Sequence, residues 1–408
     1  MPATPTPKPK SPNAGLSPVN TIPDAEWAKI VDAAKKEGNV TCYCWDFSTN
    51  RDTDWVTKAF KDTYGIEVEL LGFSGTVSAE RIKSEARAGK YIADVFAAVS
   101  SYHVGAGAME GTGLLKRIDN LPALKDVKDP DAWLFDPILT LYTLVTPRHL
   151  TYPGSNYTYN SNLIPADRLP RKVQDLLDPW YKGKICDTDP LTYAGTDYML
   201  WRHWRAYDYA DWWPGFFWEY YNKGDRFFMG ILGGPNNLVL GNCGISLSWR
   251  GQSAGNLKRT HTADKAAWVG QESFVPPMPV GISNDQGHSL LAKSPHPNAA
   301  MLFENWLYSK EGQEAWAKQG LGAAARRGIP FLVEEKYWPK VPVKSYWLPE
   351  DQWYAFEQYS YSNKAGVFKL VKQGMTKEAW LKWMKDTSMS FWGQYPPPPP
   401  PSGFFRVE

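Results

Sequence analysis

The chain has 408 residues, with 45 Lys and Arg against 43 Asp and Glu, for a formal charge of +2. That balance and the absence of a long basic run argue against a nucleic-acid partner, and no stretch approaches the roughly 18 apolar residues of a membrane-spanning helix. The length exceeds what one hydrophobic core usually serves, so two lobes are expected. With 20 Trp and 22 Tyr, most of the aromatic residues should build core, leaving a minority to line a ligand cleft.

Residues 1–22 hold almost no large apolar side chain. Pro, Thr, Ser and Lys at this density give an extended, solvated tether with nothing to bury. A helix should open at Pro23-Asp24, with Asp24 as its cap. Trp27, Ile30, Val31 and Ala34 recur at helical spacing, and Gly38 ends the run. Asn39–Cys44 reads as a strand. Trp55–Tyr64 reads as an amphipathic helix with Gly65 as its stop. A strand over 66–71, a helix over 79–88 and a strand over 92–96 follow. This alternation implies a parallel, doubly wound sheet. Ligands of such sheets sit beyond the carboxyl ends of the strands, here in the loops 44–50, 72–78 and 97–103.

The cysteines are Cys42, Cys44, Cys186 and Cys243. No CxxC pair occurs and the histidines are scattered, so no structural zinc is expected. Cys42 and Cys44 share one strand face, which suits two buried thiols better than a bond. A Cys186–Cys243 disulfide stays open. The six prolines Pro396–Pro401 should form a polyproline II rod: a partner-recruiting tail, or a stiff strap ending in Phe404 and Phe405 packed on the body. The basic run Ala325-Arg326-Arg327 reads as solvated surface.

Three segments then carry a resemblance. KKEGNVTCYCWDF, continued by AFKDTYGIEVELLGFSGTVSAERIKSEARAGKYIADVF, resembles the opening of type II periplasmic binding proteins of the ferric-ion and organic-anion importer group. YNSNLIPADRLPRKVQDLLDPWYKGKICDTDP is similar to that group's entry into its second lobe. PVGISNDQGHSLLAKSPHPNAAMLFENWLYSKEGQEAW is similar to the return and closing helix. The resemblance spans residues 24–335, with a poorer fit around Trp201–Met229 and after Glu334. It implies two α/β lobes joined by a hinge, 23–150 plus 277–340 and 151–276, with 341–408 as a helical extension and polyproline tail. It further implies a monomer that traps a small-molecule solute on closing and docks on an ABC import permease. In this setting the 1–22 tether resembles the spacer behind the lipid-modified Cys of bacterial lipoproteins, once a leader has been removed. An ordinary extended N-terminus is the other reading. The location implied is periplasmic or extracellular.

Ferric-ion members of the group carry a His in the first loop, a Glu after the third strand and a Tyr pair late in lobe two. The matching regions here read Trp45-Asp46-Phe47, Ala98-Val99-Ser100 and Ser248-Trp249-Arg250. Ferric iron wants anionic oxygens, so an organic anion is expected in its place, with no metal and no cofactor. Ser74, Gly75 and Thr76 stand where a helix begins, and free N–H groups with the positive dipole end seat a carboxylate or phosphate. Thr192, Ala194, Gly195 and Thr196 repeat that logic in lobe two, with Asp187 and Asp189 as caps. Arg250 offers a planar fork that fits carboxylate. Trp45, Phe47, Tyr157 and Trp249 are stacking candidates, Asp46 joins the first loop, and Ser100, Ser101 and Tyr102 add hydrogen-bonding groups. His103 and His288 read as structural.

Two other readings stay open: an extracellular glycan-active enzyme, whose two carboxylates spacing alone cannot identify, and a ferric-ion binding protein. No GxSxG, HExxH or P-loop motif is present.

Overall fold

The computed structural model describes residues 21–44, 55–73, 75–99, 103, 109–127, 129, 132–133, 138–147, 157–188, 210–222, 227–229, 237–247, 268–272, 274, 280–281, 284–318, 326–329, 345–346 and 374–386. Residues 1–20 of the tether and the polyproline run lie outside them; Ile22, at the tether's end, is buried in the first unit's core and its amide donates to the Asn120 carbonyl. The chain divides into two units: Met1–Leu150 with Ser283–Leu332 and Leu348–Tyr361, and Thr151–Ile282 with Val333–Trp347 and Ser362–Glu408.

The first unit opens with α1 (Asp24–Glu37), β1 (Asn39–Cys44), α2 (Trp55–Tyr64), β2 (Glu67–Leu71), α3 (Gly75–Arg87) and β3 (Val95–Val99). The short strands β4 (Leu115–Lys116), β5 (Ile138–Leu139) and β6 (Leu144–Pro147) follow. The second unit carries β7 (Tyr157–Asn160), β8 (Ile185–Thr188), α4 (Trp212–Asn222), β9 (Phe227–Met229), β10 (Ile245–Leu247), β11 (Val269–Glu272) and β12 (Val280–Gly281). The chain returns to the first unit with β13 (Asn284–Leu291), α5 (Pro297–Tyr308) and α6 (Lys310–Lys318). It then gives the second unit β14 (Ser345–Tyr346) and α7 (Lys377–Met384).

In the first unit the strand order is β2-β1-β3-β13-β6-β5, with β4 also on β13. β1 pairs parallel with β2 and β3, as the alternation of elements predicts. β13 runs antiparallel to β3 and β6, so the sheet is mixed. Strand alternation divides two cores. Val40, Cys42, Cys44, Val95 and Ala97 join Phe60, Phe303 and Trp306 on one face, where Phe60 meets Phe303 edge-on at 5.1 Å. Tyr43, Phe96 and Ala98 join Ala79 and Ile82 on the other. Both faces are covered, which is why these strands read as nearly unbroken apolar runs.

Gly38 closes α1 in the left-handed conformation (φ 71°), as expected. Asp24, however, is not the cap. Pro23 takes that position in extended conformation, its carbonyl accepting from the Glu26 and Trp27 amides, and Asp24 lies within the first helical turn. There a negative side chain still favours the dipole. The cap of α5 comes from another element: the Glu37 carboxyl group accepts from the Asn298 and Ala299 amides at 3.0 and 2.7 Å. α3 begins at Gly75, four residues before the expected start, because Ser78 faces inward as a buried helical residue and does not cap.

Cys42 and Cys44 lie buried beside one another on one face of β1, their Cα atoms 5.3 Å apart. One expectation is corrected: Arg326 is not solvated surface. Its side chain is 11% exposed, bonds both Asp126 carboxyl oxygens at 2.7 and 2.9 Å, and lies over the Trp133 ring at 4.5 Å. Arg327 donates to the Trp133 carbonyl. Both arginines therefore fasten the 123–133 segment, and the planar guanidinium suits that role.

The second unit has strand order β11-β7-β10-β8-β9. β10, β8 and β9 are parallel, while β7 runs antiparallel to β10 and β11. Against α4 packs α7, whose Trp380 is buried, donates to the Pro214 carbonyl and lies parallel to Phe217 at 6.4 Å. Cys186, in β8, and Cys243, before β10, form a disulfide with Cα atoms 5.8 Å apart across 57 residues of chain.

Closing a loop of that length removes denatured-state entropy. Changing both Cys186 and Cys243 to Ser should therefore cost about 2–4 kcal/mol of unfolding free energy. Denaturant titration of the variant, or of the wild type under reducing conditions, checks this, and an unchanged midpoint would contradict it.

Candidate functional site

β2, β1 and β3 lie side by side, with Tyr43 opposite Leu71 and Cys44 opposite Ala97. Their carboxyl ends therefore share one edge of the sheet. From that edge leave the loops that hold Trp45, Asp46, Phe47, Ser74, Ser100, Ser101 and Tyr102. These seven lie outside the described residues, whereas the strand ends that launch them are adjacent. Four residues after β2, α3 starts. Gly75 is buried at its first position and Thr76 follows in the first turn. The N-terminal end of α3 consequently lies at the same edge.

A cluster that the sequence reading did not single out holds α3 against the strands. Phe73 meets Tyr43 edge-on at 5.4 Å, and the Arg81 guanidinium covers both rings at 4.8 and 5.1 Å. Arg81 pairs with Glu85 at 2.7 Å, and the Tyr43 hydroxyl donates to Glu85 at the same distance. Burial, with Glu85 beside it, raises the Tyr43 phenol to about 12. The available signal was the Arg81/Glu85 spacing of four along one helix face. Ser78, one turn into α3, is fully buried and its Oγ has no partner among the described residues.

Beyond β3 stands His103. Its ring is fully buried, stacks on Phe96 at 4.3 Å and packs so closely on Gly287 that a Cβ there would lie 2.5 Å from it. Nδ1 bonds the Ser289 hydroxyl at 2.7 Å, while Nε2 has no partner among the described residues. Burial, and then the nearby His288, hold its pKa well below the usual value. His288 lies on the opposite face of β13, with Glu304 at 3.4 Å and the Tyr308 and Trp316 rings alongside. The expectation of a structural residue suits His288; His103 meets it at one nitrogen only.

In the second unit, β8 and β10 are adjacent and parallel, with Cys186 opposite Ser246. From their carboxyl ends, Thr188 and Leu247, leave the segments that contain Thr192, Ala194, Gly195 and Thr196, and Trp249 and Arg250. Those residues and Asp189 lie outside the described set, whereas Asp187 is part of β8. Tyr157 is corrected. It is 1% exposed, packs on Phe274 at 5.0 Å and donates to the Pro170 carbonyl at 3.0 Å. An aromatic ring on the central antiparallel strand β7 is core, with its hydroxyl already used. Among the described residues no cluster of three or more His, Cys, Asp or Glu is placed to hold a metal.

The profile of a family described as bacterial extracellular solute-binding protein matches residues 52–314. No curated protein matches the chain. Among solved structures, iron-bound HitA from Pseudomonas aeruginosa is 19% identical, covering 80% of this chain and 98% of its own at a TM-score of 0.53. A periplasmic thiamin binding protein is 16% identical over 86% and 96% of the two chains, with a TM-score of 0.54. The periplasmic binding protein AfuA from Actinobacillus pleuropneumoniae, bound to fructose-6-phosphate, is 16% identical over 86% and 98%, also at 0.54. These likenesses establish the α/β fold of periplasmic binding proteins.

The buried His103 makes stability depend on acidity. Its pKa is lowered on folding, so below the unfolded value near 6.5 the unfolded chain binds more protons than the native one. Stability is complete above that pH and falls as the pH drops below it, by at most about 1.4 kcal/mol per unit. His103→Asn keeps a group facing Ser289 and should flatten that part of the profile. Denaturant midpoints at pH 7.5, 6.5 and 5.5 check it, and parallel profiles for the two proteins would refute it.

Proposed function

The chain belongs to the bacterial extracellular solute-binding proteins, and we propose that the solute it carries to its ABC import permease is a small organic anion. The observation that supports this is the start of α3: a buried Gly75 at the positive end of the helix, at the shared carboxyl edge of β2, β1 and β3. Carboxylate or phosphate is the chemistry such a turn receives best. Arg250 and the hydroxyls of Thr192 and Thr196 follow the adjacent ends of β8 and β10 in the second unit. They offer charge-assisted and neutral donors of the kind an organic anion accepts. The protein acts by binding and performs no reaction on its solute. It works as a monomer outside the cytoplasm, with residues 1–22 as the spacer of a lipid-anchored form.

Among proteins of this fold, fructose-6-phosphate occupies AfuA, and iron occurs with citrate in the Trichodesmium protein, which is 18% identical at a TM-score of 0.51. Both settings include an anionic organic molecule. The iron-bound neighbours also favour a second reading, ferric-ion capture, which the same experiment decides.

Thermal unfolding is followed with organic acids, sugar phosphates, sugars, amines, thiamin and ferric salts. A solute at 100 times its Kd stabilises by about 2.7 kcal/mol. A carboxylate or phosphate should raise the transition, and Ser74→Ala and Arg250→Ala should each remove most of the shift. A rise with ferric salt alone would replace the anion reading with the metal one. No rise, with no solute found by mass spectrometry in the denatured protein, would overturn anion capture.

A further inference from the structure

The second unit carries a different kind of surface at the sheet edge opposite the one from which its candidate loops leave. β8 and β10 begin there, and the Lys184 carbonyl accepts from the Gly244 and Ile245 amides at 2.8 Å each. The segments that precede the two strands therefore lie side by side. The turn after β7 joins them. A Cβ built on Gly244 would lie 3.5 Å from that of Leu163, and the Asn160 side chain donates to the Leu238 carbonyl at 2.9 Å. Two leucines of these turns face solvent. Leu163 is 41% exposed, and Leu240, at 67%, is the most exposed large apolar side chain among the described residues.

Beside the leucines stand cations on an aromatic ring. Lys184 Nζ lies 4.3 Å from the centre of the half-buried Trp180 ring, and the Arg168 guanidinium lies 5.5 Å from it. Lys184 also donates to the Trp180 carbonyl at 2.6 Å, which holds the two residues together. Residues 161–184 contain five Lys and Arg against three Asp, and the 237–244 turn adds no charge. Two of those carboxyl groups are engaged by backbone: Asp175 accepts from the Arg171 and Lys172 amides, and Asp178 from the Trp180 amide.

We propose that this edge of the second unit rests on a bilayer surface with anionic headgroups, Leu163 and Leu240 entering the lipid and Arg168 and Lys184 meeting the phosphates. Each part has its physical reason. Apolar tips leave water, basic side chains gain from the negative surface, and an amphipathic ring sits best at headgroup depth. A second copy of this chain fits less well, because a twofold contact sets the patch against itself and brings like charges together. The candidate loops of the second unit leave from Thr188 and Leu247, at the other ends of the same strands, so contact with lipid keeps them open to a solute.

Co-sedimentation of the full chain with vesicles tests this, and it involves no solute, so it stands apart from anion capture. Vesicles of phosphatidylcholine mixed with phosphatidylglycerol should bind the protein, and high salt should release it. Arg168→Gln and Lys184→Gln should each weaken binding about fivefold. Leu163→Ser combined with Leu240→Ser should weaken it about tenfold or more. Leu240→Ser alone changes the most exposed position and serves if the double variant does not fold. No binding to the mixed vesicles, equal binding to phosphatidylcholine alone, or full binding by the leucine variants would overturn the proposal. So would a solution dimer that Leu240→Ser dissolves, which would assign the surface to a second copy.

Discussion

Asp94 is fully buried, and a buried carboxyl group is tolerated only when donors surround it. Here they come from three directions. The Thr41 amide reaches Oδ2 at 2.7 Å, Ser294 Oγ and the His296 amide reach Oδ1 at 2.5 and 2.8 Å, and His296 Nδ1 lies 3.0 Å from Oδ2. The Asp94 backbone adds bonds to Thr41 and Leu291. One side chain therefore joins β1, the start of β3 and the turn between β13 and α5, segments separated by some 200 residues of chain. The second unit is inserted between those segments. Without this knot, nothing local would bring β13 beside β3, and the edge from which the candidate loops rise would lose its third strand.

That long-range closure also explains what could be read from the sequence. The segments from α1 to β3 follow one another in chain and in space, so their apolar periods and the glycines Gly38 and Gly65 were sufficient. The antiparallel half of the sheet was not legible, because β13, β6 and β5 come from distant segments and carry no signal of their partners. The reversed status of Arg326 has the same origin: a basic run resembles surface until Asp126 and Trp133 arrive from 200 residues away. Tyr157 failed as a site residue for a different reason. Aromatic core and aromatic cleft look identical in sequence, and only the bond to the Pro170 carbonyl and the Phe274 contact separate them.

For the candidate site, the order of elements and the sheet edge from which the loops leave were legible in the sequence, whereas the side chains packed beneath those loops were not. The rule that ligands collect at carboxyl ends of parallel strands needs only the order of elements, which was correct. What it cannot show is the layer beneath the loops. Tyr43, Phe73, Arg81 and Glu85 lock α3 in place, and Thr143, in the β5–β6 turn beside Thr140, meets Ser289 of β13 at 3.0 Å. Hydroxyl residues in strands are common, and no spacing marks them as a connected chain.

Unmatched buried polar atoms cost stability wherever they occur. Among the described residues of the first unit, such atoms fall into two groups. Asn120, Glu304, Trp306 and Tyr308 lie around α5, within the packed layer that anchors the sheet. Ser78 and His103 instead belong to the two segments that leave β2 and β3 at the carboxyl edge. Local rules are most often broken where function requires it. Ser78, in the first turn of α3, and the His103 imidazole fit that pattern: each is buried with a polar atom unmatched among the described residues, and each belongs to a segment that leaves the sheet at the edge where the candidate loops begin.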